Sequence, residues 1–104
     1  MKNHYTLDNC INNARRSGIR MEIMLLPNVR NCMIKENVIT VVDSNYFSDG
    51  RGKCNEHVVK EIITDHLIKS HVKPVSIEVS RESKPQTNDY KTFCKFTISE
   101  LIAA

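Results

Sequence analysis

The residues best suited to chemistry in this chain are Cys54 and His57. A cysteine acts as a nucleophile or metal ligand in its thiolate form, which needs a partly exposed, electropositive setting. Of Cys10, Cys32, Cys54 and Cys94, only Cys54 fits, with Lys53 beside it, a predicted helix start after it and His57 three residues on. That pair has the elements of a Cys-His dyad, and Cys54-x-x-His57 has a spacing that zinc accepts. Neither reading finds support elsewhere. On a helix His66 would face away from His57, and His71 would lie about four turns beyond it. A zinc site drawn from Cys10, Cys54, His57 and Cys94 would need the tertiary fold to gather them. Asp43, Asp49 and Asp65 have no metal-nuclease spacing and read as turn formers or solvated charges. No catalytic set, metal or cofactor is therefore expected.

Gly50-Arg51-Gly52-Lys53 runs straight into the predicted helix start at Asn55. Free backbone N–H groups, the positive end of a helix and two cations suit an anion, phosphate above all. The segment is not a P-loop, because the glycine spacing and the Lys-Ser/Thr ending are absent. Arg51, Lys53, Lys60 and the pair Arg15/Arg16 are the candidate nucleic-acid contacts. A flexible connector whose glycines only serve the turn is the competing reading.

The elements that would position these groups fit one domain of 104 residues. A hydrophobic content of 40% and a charged content of 26% exclude a disordered chain. A formal charge of +3 allows nucleic-acid binding without advertising it and argues against an acidic DNA mimic. No apolar run reaches the ~18 residues of a membrane span, and Met21 to Pro27 is broken by Glu22. Met1 to Tyr5 lacks a signal-peptide core, so a cytoplasmic location with no membrane contact is expected. Four reduced thiols follow from that location, the cysteine spacings of 22, 22 and 40 giving no C-x-x-C pair.

Periodicity predicts a helix over Thr6 to Ser17, with Leu7, Cys10, Ile11 and Ala14 on one stripe, Arg15/Arg16 in its last turn and Gly18 ending it. Strands are predicted over Ile19 to Leu26, Val29 to Ile34 and Val38 to Val42, with a tight turn at Lys35-Glu36-Asn37. Asp43 to Lys53 reads as a loop. Asn55 caps a second helix to about Ser70, buried through Val58, Val59, Ile62, Ile63, His66 and Leu67. Val75 to Val79, with Ile77 at its centre, and Tyr90 to Ile98 complete the strands, around a polar loop from Arg81 to Asp89. Ser99 starts a short terminal turn. The order α-β-β-β-α-β-β predicts an α+β two-layer sandwich on a five-stranded antiparallel sheet.

The first 70 residues, through Gly50-x-Gly52 followed by Val58, Ile62, Ile63 and Leu67, resemble a double-stranded RNA-binding domain. The resemblance implies α-β-β-β-α order and readout of A-form shape through phosphates and 2′-hydroxyls. Asn55 and Glu56 stand where that family places phosphate-clamping lysines, which turns the expectation toward protein contact. The whole-chain order is also similar to the dimeric chaperones of type III secretion, in topology alone. The leading expectation is a non-catalytic module binding a protein partner as adaptor, inhibitor or homodimer, with strand edges open for pairing. The alternatives are a double-stranded nucleic-acid binder and a small nuclease-like hydrolase.

Overall fold

Asn12 decides how the N-terminal part folds. Its backbone is extended and its side-chain oxygen accepts from the Arg15 N–H at 2.8 Å, meeting one of the donors a helix start leaves open. A computed structural model, describing residues 7–45, 55–85 and 90–104, accordingly shows a one-turn helix α1 (Leu7–Cys10) and a separate helix α2 (Asn13–Met24). The strand expected over Ile19 to Leu26 is helical instead. Ile19, Met21, Ile23 and Leu25 fit a period of two, but Ile19 and Ile23 also stand four apart, and only they are buried. Gly18, read as a helix stop, sits inside α2. Arg15 and Arg16 open that helix rather than close it.

Strands β1 (Val29–Lys35) and β2 (Val38–Asn45) form the expected hairpin, with Glu36 in the left-handed region at φ 54°. Helix α3 (Glu56–Lys69) follows, then β3 (Val72–Pro74), β4 (Ile77–Pro85), β5 (Tyr90–Ile98) and β6 (Leu101–Ala103). The main sheet has four antiparallel strands in the order β1-β2-β5-β4, and β3 pairs with β6 in a separate two-stranded ribbon. The fold is α+β with helices over an antiparallel sheet, as the sequence predicts, but the five-stranded sheet becomes four strands plus a ribbon.

The core lies between the helices and one face of the sheet. Opposed residues of an antiparallel pair share a face, and Cys32, Val41 and Cys94 form one such row, with Ile39 and Phe96 in the next. All five are buried with Ile19, Ile23, Val59, Ile63 and Leu67. Asn37 locks the hairpin end by donating from Nδ2 to the Ile98 carbonyl at 3.0 Å.

Five further expectations change. Ile77 opens β4 instead of centring a strand, and is only half-buried. The loop expected from Arg81 is strand as far as Pro85. Val58 is exposed, because Val59, Ile63, His66 and Leu67 carry the buried stripe. Asn55 makes no side-chain cap; it holds φ 48° and donates to the Pro27 carbonyl at 3.4 Å. Cys94 is disulfide-bonded while Cys10 and Cys32 are free, which overturns the expectation of four reduced thiols. Spacing along a chain does not reveal which cysteines the topology brings together.

Candidate functional site

Helix α2 presents two faces. On the inner side, beside Ile19 and Ile23, it meets α3 at the buried ring of His66. Glu22 Oε1 lies 2.9 Å from Nε2, and Arg15 Nη1 lies 3.4 Å from Nδ1. The tautomer with its proton on Nε2 satisfies both contacts, donating to the carboxylate and accepting from the guanidinium. Gly18 makes room for the ring: a Cβ there would stand 3.1 Å from His66 Cε1. Every polar atom of His66 is thus engaged within the fold.

On its other side α2 runs along the edge strand β1. Between them lies an open groove of about 390 Å³, lined by Arg16, Ser17 and Arg20 of α2 and by Asn31, Cys32, Met33 and Ile34 of β1. Arg20 Nε donates to the Cys32 carbonyl at 2.9 Å, and the Cys32 N–H donates to Asn31 Oδ1 at 2.9 Å. Both polar groups of that edge peptide are therefore taken by side chains, a device that blunts an edge against further strands. The edge that the sequence left open for pairing is closed at its middle.

The Arg20 Nη groups have no partner among the described residues. Arg16 and Arg20 stand one turn apart on the same side of α2, about 6 Å between Cβ atoms for an i, i+4 pair. A guanidinium such as that of Arg20 suits carboxylate or phosphate oxygens, which it can hold bidentately. Among the described residues, no carboxylate or imidazole lines the groove. Its thiol, Cys32, is buried and pushed up to about 11 by desolvation, against the pull of Arg20. A thiol so placed is a poor nucleophile at neutral pH.

Apolar surface flanks the cations. Ser17, Met21 and Leu25 form one i, i+4 row, and Leu25 is 84% exposed with Met21 at 64%. Met33 adds 45% exposure on the strand side.

The candidate residues separate. Arg16 lines the groove; Arg15 turns instead to His66. Lys60 lies on α3, where its charge bears on Glu56, and Glu56 itself is bound by Arg81 of β4. The hydrogen bond from Arg81 holds the Glu56 carboxyl below its usual range, with burial opposing and the charges of Arg81 and Lys60 adding. Arg51, Lys53 and Cys54 lie outside the described residues. His57 is exposed and pairs with Glu61 at 3.1 Å. Among the described residues no group of three or more His, Cys, Asp or Glu could hold a metal ion, and no helix is long and apolar enough to cross a membrane. The sequence pattern does not mark Arg20, because the alternation over Ile19 to Leu26 also fits a strand; on a helix, its spacing from Arg16 marks it.

No family model, curated protein or solved structure matches this chain.

Proposed function

We propose that the chain is a non-catalytic binding module that engages a protein partner through the groove between α2 and β1. The observation that carries this reading is the groove that Arg16 and Arg20 line with the Cys32–Ile34 segment, with Met21, Leu25 and Met33 exposed alongside. Exposed apolar side chains beside arginine are the usual makeup of a protein contact surface. The opposite pattern, phosphate-clamping cations gathered on one face, gets less support: Arg15 is engaged by His66 and Lys60 lies beside Glu56 on another helix.

Retention assays on immobilised protein test the proposal. The wild-type chain is expected to retain a protein that the Met21→Glu/Leu25→Glu chain does not. Equal retention by both would contradict the assigned face. Retention of duplex RNA or DNA with steep salt dependence, and of no protein, would favour the nucleic-acid reading. Light scattering in parallel shows whether the retained protein is a second copy of this chain.

The disulfide at Cys94 favours an oxidising compartment over the reducing cytoplasm suggested by the sequence. Thiol titration of the denatured chain should accordingly count fewer free thiols without reductant than with it. Equal counts would return the protein to the cytoplasmic reading.

A further inference from the structure

We infer that His66 is a proton-operated latch on α2: its neutral ring holds both Glu22 and Arg15, and its protonated ring keeps Glu22 and releases Arg15. The latch works inside the fold and is independent of what the groove takes.

The ring is fixed in place, and only one of its two contacts survives a second proton. The His66 side chain is 8% exposed, whereas that of Glu22 is 52% exposed. Gly18 lies so close that a Cβ there would stand 3.1 Å from Cε1, so the ring has no room to swing toward α2. Histidine is the side chain that gains its charge between about pH 8 and 5. The proton arrives at Nδ1, because Nε2 already carries one in the tautomer that serves both partners. Nδ1 then becomes a donor and faces another donor, Arg15 Nη1, 3.4 Å away. That hydrogen bond is lost and two cations stand together. At Nε2 the change is the reverse. The donor to Glu22 Oε1, 2.9 Å away, becomes charged, and its bond to the carboxylate strengthens. Glu22 thus supplies the counter-charge that keeps an imidazolium inside the fold. Strand β3, which also packs against α3, brings only Lys73, and it is exposed, as are Asp65 and Lys69 of α3 itself. Arg15 is the group that moves, being half-buried and in the first turn of α2. A cation there already opposes the positive end of the helix. Acid therefore frees the start of α2, while Glu22, about two turns on, holds its end to α3.

NMR titration of the isotope-labelled full chain between about pH 8 and 5 tests the latch. At the alkaline end the His66 ring nitrogens are expected to report the tautomer with its proton on Nε2. As the ring takes its second proton, the heteronuclear NOE of the Arg15 Nε–H should fall to that of the exposed Arg30. Both changes should share one midpoint, and the His66 Nε2–H should stay protected from exchange throughout. In His66→Gln, which carries no titrating ring, the Arg15 signal should not change over the same range. If His66→Gln fails to fold, the comparison of ring and Arg15 signals in the wild-type chain decides alone. A proton on Nδ1 at the alkaline end would overturn the latch, because Arg15 would then have nothing to donate to. Arg15 remaining rigid beside a protonated ring would overturn it as well. So would the same Arg15 change in His66→Gln, or a ring that stays neutral until acid unfolds the chain.

Discussion

The two long sides of α2 use similar residues to opposite ends. Toward α3, an arginine, a glutamate and a histidine close on one another around a glycine. Toward β1, two arginines and an asparagine line an open groove with methionine and leucine exposed beside them. The first arrangement leaves no polar atom of His66 for a ligand. The second ties Arg20 Nε and Asn31 Oδ1 to the Cys32 backbone and leaves the Arg20 Nη groups without a partner among the described residues. Polar residues that complete one another hold a fold together; those that stop short of doing so offer a surface. The contrast makes the two faces separable by mutation.

The largest difference is expected where α2 enters the core. Ile23 is fully buried, and Ile23→Ala should cost about 2–5 kcal/mol in urea unfolding. A cost under about 1 kcal/mol would mean that the inner face is wrongly assigned. Gly18→Leu should cost about 1–3 kcal/mol, because the new side chain meets the His66 ring. That cost should shrink in a His66→Ala background, and strict additivity in the double-mutant cycle would deny the close approach.

A smaller effect belongs to Glu56, which anchors the first turn of α3 to β4 through Arg81. Its carboxyl is held below the usual value of 4.5. A lowered folded value contributes stability that is present above the unfolded value and lost as pH falls through the lowered one. Glu56→Gln should therefore lose up to about 1 kcal/mol at neutral pH and nothing once the carboxyl is protonated in both states. A loss that persists at pH 2 to 3 would assign the effect to packing instead. The smallest effect is expected on the outer face. Leu25→Asn should stay within about 0.5 kcal/mol of wild type, since the side chain is almost wholly exposed. A larger loss would show that Leu25 supports the fold rather than a partner.

Much of the sheet was legible from residue pattern. Thr92, Cys94, Phe96 and Ile98 alternate as they should in a strand with one buried face, and all four are buried. The β1–β2 hairpin was legible from the β-branched run Val38 to Val42 after the Lys35-Glu36-Asn37 turn, and the Val59–Ile63–Leu67 stripe from its helical spacing. The segment from Ile19 to Leu26 fits both, and its outcome depends on Asn12 capping a new helix and on His66 needing a glycine beneath it. Strands β3 and β6, three residues each, are too short to carry a period and exist through their mutual pairing. The groove was half legible. Arg16 was marked as a cation, but its partner Arg20 was hidden inside the misread segment, and the capping of the Cys32 peptide depends on contacts that only folding creates.

The most direct test is to titrate isotope-labelled protein with the protein it retains and map amide shifts by NMR. The account predicts that the perturbed amides cluster at residues 16–21 and 31–34, while those around His66 and along β4 stay in place. Perturbations centred on β4, or spread evenly over the chain, would contradict it.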